Sequence, residues 1–271
     1  MTASDAEAKA SVAAMFDRSS ATYEGLEGEY FAPMGRALVS RAGISPGSRV
    51  LDVGCGRGAV LAAAAAATGP SGAAVGIDLA PGMIERAAAA VADLPWVSVA
   101  LGDAADPDFP DASFDAVLAG LVIFFLPAPE DALAAYRRVL RPGGRLAFTT
   151  FAAQDPLLGA VVKALTPLLP GGPVERPVDR FTGTASIGAL LGDWDAVAFA
   201  VETFETPFAG KDALWDWFWS HGMRAVLERI PADRLDEARA IAYDAMDPAV
   251  GPGGGIFLRT SVRITTAIRP E

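Results

Sequence analysis

The sequence predicts a doubly wound α/β protein with a mainly parallel sheet, and three observations carry that expectation. Apolar runs of strand length alternate with Ala-rich helical stretches from residue 49 to residue 151. The connections are short enough to require right-handed crossovers between parallel strands. Three of the runs end on an acid, at Asp52, Asp78 and Asp103, and the first opens directly into a glycine-rich turn. In such sheets ligands bind beyond the carboxyl ends of the strands, where the strand order reverses.

The elements follow in chain order. Residues 4–16 predict an Ala-rich helix with Val12, Met15 and Phe16 on one side, broken by turn formers before Tyr23. Tyr30, Met34, Leu38 and Arg41 recur at helical spacing within 27–42, and Ser45-Pro46-Gly47 turns the chain into a strand over 49–53. A helix over 59–68 stops at Gly69-Pro70, and a strand over 73–77 runs into Asp78. Pro81 stands where a first-turn proline belongs, opening a helix that continues to 92. Strands over 97–101 and 114–119 flank a Pro/Asp-rich loop over 106–113. A helix over 130–140, the turn Pro142-Gly143-Gly144 and a strand over 145–151 follow. Beyond them come a helix over 154–169 interrupted by Pro156 and Pro167, a Pro/Gly loop to Thr182, and a short helix near 184–192. An extended run over 197–208, helical stretches over 211–230 and 232–246, and a last strand over 256–268 complete the chain. Residues 1–45 are read as a helical cap and 46–271 as the main domain, with a helical lid inserted at about 209–247.

Composition excludes several classes of function. Of 271 residues 52% are hydrophobic, enough for a full core. A net charge of −11 without any Lys/Arg cluster argues against nucleic acid as a partner. The longest apolar runs stop at Thr68 and Pro127, short of the ~18 residues that would span a bilayer. Asp5, Glu7 and Lys9 replace the basic and apolar start of a signal peptide, so the expected location is cytoplasmic. One cysteine and one histidine exclude an intrachain disulfide and leave no metal site to predict. A small molecule is the expected partner, and a homodimer is allowed.

The segment Val50-Leu51-Asp52-Val53-Gly54-Cys55-Gly56-Arg57-Gly58 organises the rest. Alternating glycines let backbone approach a ligand that side chains would keep away. A dinucleotide loop spaces its glycines G-x-G-x-x-G so that helix amides face a pyrophosphate. Here the spacing is G-x-G-x-G, and Asp52 just before it suits an ammonium or sulfonium group better than a phosphate. Asp78, twenty positions after Gly58, stands where an acid reaches a ribose diol, and Asp103 is placed for an adenine amino group. Cys55 reads as a small residue tolerated in the turn.

With these residues in view, V-L-D-V-G-C-G-R-G resembles the first motif of class I S-adenosylmethionine-dependent methyltransferases. G-I-D-L-A-P-G-M-I-E-R-A resembles their second, L-G-D-A-A-D-P-D-F-P-D-A-S-F-D-A-V their third and fourth, and L-R-P-G-G-R-L-A-F-T-T-F the approach to their fifth strand. The match keeps family order and spacing from about residue 16 to 151. The resemblance implies a seven-stranded sheet with an antiparallel last strand, and S-adenosylmethionine as cofactor. It implies that Gly54, Gly56 and Gly58 line the methionine part, with Asp52 fixing the loop or the α-amino group. It gives the ribose to Asp78, adenine packing to Leu79 and Met83, the adenine edge to Asp103 and Ala104, and further methionine contacts to Gly120 and Leu121. The stretch from Met15 to Tyr23 is similar to the quinone-biosynthesis branch, where it closes over the cofactor; Tyr23 is accordingly read as a cofactor contact. Where many relatives carry a His-His pair after the fourth strand, this chain has Phe124-Phe125, an apolar wall.

The acceptor side is read from aromatic residues. Trp215, Trp217, Phe218 and Trp219 are too dense for one helix face to bury, so they are expected to line a pocket lid, an oligomer contact being the alternative, with Trp215, Phe218 and Trp219 in a substrate pocket alongside Phe16, Tyr30 and Phe124. His221, the one histidine, is read as a catalytic general base or a substrate contact; the plainer reading is a histidine at the margin of a packed aromatic helix. The expected reaction is methyl transfer to a small, largely apolar acceptor, quinone-like or a secondary metabolite, at oxygen, nitrogen or carbon. The alternatives are a cofactor-binding protein with cyclase-like or sensing function and, behind it, an NAD-dependent oxidoreductase.

Overall fold

The computed structural model describes residues 3–24, 30–153, 155–172, 181 and 183–271. Among the described residues seven strands form one sheet in the order β3-β2-β1-β4-β5-β7-β6. The strands are β1 (Arg49–Val53), β2 (Ala73–Asp78), β3 (Val97–Leu101), β4 (Phe114–Gly120), β5 (Leu140–Ala153), β6 (Asp195–Phe208) and β7 (Ile256–Ile268). β1 to β5 pair in parallel, whereas β7 lies antiparallel to both β5 and β6. From β1 the chain winds outward to β3, then returns to place β4 on the other side of β1. The crevice at this reversal lies beyond Val53 and Gly120, so the glycine loop opens into it.

The helices are α1 (Ala3–Ser19), α2 (Phe31–Ala42), α3 (Ala59–Thr68), α4 (Pro81–Ala90), α5 (Pro129–Val139), α6 (Pro156–Leu165), α7 (Thr184–Leu190), α8 (Lys211–Ser220), α9 (Arg224–Leu227) and α10 (Leu235–Met246). Prolines open α4, α5 and α6, where a missing N–H costs no hydrogen bond. In α5, Glu130 and Asp131 stand in the first turn and Arg137 and Arg138 in the last, matching the helix dipole. The side chain of Asp155 caps α6 by accepting the Leu157 N–H at 2.7 Å.

The core has two parts. Both faces of the sheet bury an aliphatic and aromatic core that includes Leu51, Leu118, Phe114, Tyr136 and Phe148. A second cluster joins α6, α8, α9 and α10 to the start of β7, around Val161, Leu214, Phe218, Ala242 and Leu258.

Three boundaries differ from expectation. The Pro142-Gly143-Gly144 turn is absorbed into β5, with Gly143 at φ 71° and a register shift against β4. The expected helix over 27–42 starts at Phe31, its first turn lying partly outside the described residues, as does most of the Pro/Gly loop to Thr182. The stretch 211–230 is interrupted at His221, whose backbone is extended (φ −134°, ψ −166°). The imidazole Nδ1 lies 2.8 Å from the Trp217 carbonyl, taking the acceptor that the next helical amide would have used. The chain then turns through Gly222 and Met223 into α9.

Candidate active site

The strand ends and the N-terminal helices enclose a cavity of about 750 Å³. Its first half is the glycine loop. Gly54, Gly56 and Gly58 all have positive φ, at 65°, 53° and 95°. A Cβ at Gly54 would stand 2.5 Å from Val122 Cγ2, so only glycine fits between the loop and the residues after β4. Gly54 and Gly56 line the cavity; Gly58 does not, and its N–H closes the turn onto the Cys55 carbonyl at 2.8 Å. Gly58 therefore shapes the loop from behind instead of forming its wall.

Asp52 sits under this loop, 1% exposed, and neither of its carboxylate oxygens has a hydrogen-bond partner among the described residues. Burial pushes its carboxyl well above the usual carboxylate range and the charge of Asp78 adds to this; the Leu61 amide opposes it from outside hydrogen-bonding geometry. A buried acid with both oxygens free is set for a cationic or N–H-donating ligand. Asp78 is engaged already: its Oδ2 accepts the Gly56 N–H and its Oδ1 the Ala80 N–H, both at 2.9 Å. Burial nonetheless raises its pKa. Asp103 accepts from the Ala105 N–H at 2.8 Å and from the Lys9 ammonium at 2.6 Å. Leu79, Met83, Ala104, Gly120 and Leu121 also line the cavity. Leu121 holds an uncommon φ of 55°, with its N–H donated to Thr149 Oγ1 at 2.9 Å.

The second half is aromatic. Phe16, Tyr30, Phe124 and His221 line it, together with Tyr23, read from the sequence as a cofactor contact, and with Phe31, Phe125, Phe151 and Trp217. His221 stacks on Trp217 at 4.2 Å between ring centroids and lies 4.8 Å from Tyr23 and 5.1 Å from Phe31. A carbonyl can only accept, so Nδ1 carries the proton that faces Trp217, and Nε2 is left as a lone-pair acceptor. Nε2 has no partner, and neither has the indole N–H of Trp217. Burial lowers the histidine pKa to about 4, which keeps the ring neutral at ordinary pH.

Three expected pocket residues are placed elsewhere. Trp215 and Phe218 are buried in the second cluster and Trp219 packs against its edge; none reaches the cavity. The second core supplies the additional apolar surface that one helix face lacked, so the density of aromatics marks a helix buried on two sides. Trp217, on the remaining side, is the one that meets the cavity. Lys9, Glu24, Phe31, Arg57 and Thr149 also line the cavity, without having been expected there. Of these only Arg57 carried a signal, standing inside the glycine motif.

Residues 51–148 match the family described as "Methyltransferase domain". Over 94% of its length the chain is 38% identical to nocamycin O-methyltransferase of Saccharothrix syringae, 98% of which it covers. The chain belongs to the class I S-adenosylmethionine-dependent methyltransferases. This methyltransferase is also 43% identical to aklanonic acid methyltransferase DauC of Streptomyces sp. strain C5, over 68% of its own length and 84% of that protein's. Its fold is similar to that of the YcgJ protein from Bacillus subtilis, with a TM-score of 0.56, 21% identity, and coverage of 88% of this chain and 99% of that one. The enzyme is a methyltransferase and its cofactor is S-adenosylmethionine, which sets aside the NAD-dependent alternative. The residues present fit that cofactor: the free carboxylate oxygens of Asp52 oppose a cation, and the loop glycines leave backbone exposed to it. Among the described residues no group of three metal-ligating side chains occurs, and no helix is long and apolar enough to cross a membrane.

Proposed function

We propose that this methyltransferase acts on an oxygen nucleophile of a flat, largely apolar secondary metabolite. The observation that carries the reading is the continuity of one cavity from the glycine loop into a chamber walled by aromatic rings, with His221 as its neutral acceptor. Two relatives with long matches support it, one being named for O-methylation of nocamycin and the other for aklanonic acid.

Bound S-adenosylmethionine supplies the activated methyl group; the protein's part is to orient, to exclude water and to manage a proton. Asp52, Gly54 and Gly56 hold the methionine end, with Gly120 and Leu121 across from them, and Gly58 sets the turn. Asp78 holds the ribose, while Leu79, Met83, Asp103 and Ala104 receive the adenine. Of the cap and the lid, residues of α1, α2, α8 and α9 border the chamber. Phe16, Tyr23, Tyr30 and Phe124 press a flat acceptor into line, and alignment of this kind provides much of a transfer enzyme's acceleration. A hydroxyl that loses its proton as it attacks needs an acceptor within reach, and Nε2 of His221 takes that role after the rings of Tyr23 and Phe31 shift to admit it.

The test is incubation with labelled cofactor and a panel of phenols, enols, carboxylic acids and amines of polyketide-like shape, with products located by mass spectrometry. O-methylated aromatic products support the reading. Methylation confined to amines or carbon overturns the assignment of the nucleophile. Cofactor binding without any methylated product favours a cyclase-like or sensing function.

A further inference from the structure

Arg57 is the one long side chain in the glycine loop, standing between Gly56 and Gly58. Among the described residues its guanidinium pairs with no carboxylate; it donates from Nη1 to the backbone carbonyl of Tyr23. Burial lowers its pKa, and the nearby charge of Arg86 adds to that. A partly buried arginine spent on a main-chain oxygen 34 residues away in sequence is doing something geometric.

Tyr23 is the residue being held. Its own N–H donates to the Ser19 carbonyl at 2.8 Å, and its ring stacks on Phe31 at 4.9 Å with 10° between planes, 4.8 Å from His221. The next residue, Glu24, accepts the N–H groups of Tyr30 and Phe31 at 2.8 and 2.7 Å. Arg57 and Glu24 thus fix the Tyr23 backbone from the cofactor side and from α2 respectively.

We infer that Arg57 is a positioning residue that ties the aromatic wall of the acceptor chamber to the conformation of the cofactor loop, through the Tyr23 carbonyl. Gly56 and Gly58 hold positive φ on either side of Arg57, and Arg57 passes any change in the loop to Tyr23. Without the Arg57 hydrogen bond the Tyr23 wall over His221 loses its tie to the cofactor loop. The inference rests on the cofactor reading of this loop.

Hydrogen exchange with S-adenosylhomocysteine tests it. In the wild-type chain the ligand should slow exchange at the amides of Thr22 and Tyr23 by on the order of tenfold, the worth of one charge-assisted hydrogen bond. In Arg57→Ala, calorimetry should find the ligand bound within about threefold of wild type, with the added protection at Thr22 and Tyr23 gone. Methylguanidine should restore the protection and methylamine should not. Arg57→Gln is the second variant should the alanine chain fail to fold, and it is read in the same way. Equal protection in wild type and variant overturns the inference. So does a loss of ligand affinity as large as the loss of protection, which would make Arg57 an ordinary cofactor contact. Failure of the ligand to bind the wild-type chain would overturn the cofactor reading, and this inference with it.

Discussion

Replacing Asp52 with Asn should make the ligand-free protein more stable and its cofactor affinity weaker. Both carboxylate oxygens of Asp52 are buried and without partners among the described residues. Leaving a buried polar group unsatisfied costs about 1–3 kcal/mol, and more when the group is charged. Burial raises the Asp52 pKa in the fold, so the folded chain binds a proton that the unfolded chain releases near pH ~3.9. Stability therefore falls as pH rises from that unfolded value through the raised folded one. Asn carries no charge, so its cost does not grow with pH. Asn leaves the position equally unpartnered, so at neutral pH Asp52→Asn should gain only the excess cost of the charged group, on the order of 1 kcal/mol, or a few degrees of Tm at about 2–4 °C per kcal/mol. The same change removes the charged partner of the cofactor. Charge-assisted hydrogen bonds contribute about 1.5–3 kcal/mol, so affinity should fall by roughly 10- to 140-fold. Thermal unfolding between pH 5 and 9, with calorimetry of S-adenosylhomocysteine on both chains, measures both effects. An Asn variant that is less stable at every pH, or that binds as tightly as wild type, refutes the reasoning.

Other predictions follow from the same geometry. Gly54→Ala places a Cβ 2.5 Å from Val122 at a φ of 65°, and should cost about 1–3 kcal/mol by chemical denaturation and abolish measurable cofactor binding. His221→Phe should leave S-adenosylhomocysteine affinity within about twofold of wild type but lower kcat by roughly 100- to 10,000-fold, the usual contribution of a positioned base; an unchanged kcat removes His221 from the chemistry. Its pH dependence has a definite sign. The folded pKa of about 4 lies below the unfolded value, so stability is full above about pH 6.5 and is lost as pH falls toward 4. The loss amounts to about 3 kcal/mol, and it should be absent from the unfolding curve of His221→Phe. Phe218→Ala should cost about 3–5 kcal/mol of stability while acceptor KM and cofactor affinity in the surviving folded fraction stay unchanged, because the residue belongs to the second core.

The cofactor half of the site was legible because its chemistry is local in sequence. Asp52, Gly54 and Gly56 lie within five consecutive positions, and each reports its own constraint: a missing Cβ, a positive φ, an acid at a strand end. Asp78 and Asp103 needed only the strand periodicity that places them at neighbouring ends of the same sheet. The acceptor half is assembled from α1, the start of α2, the end of β4 and the break after α8, and no local pattern announces which face of each meets the others. An aromatic run shows that surface must be buried, but not against what. Trp215 and Phe218 went into a second core that depends on α6, α10 and β7, elements up to about sixty residues away, and Trp217 reached the chamber because it lies on the other side of the same helix. His221 illustrates both readings at once. Its Nδ1–H closes a helix end, the structural role, and by doing so fixes the tautomer that leaves Nε2 free. The hydrogen bond that explains why the helix stops is also the one that makes the ring an acceptor, so its structural and chemical roles are not rivals.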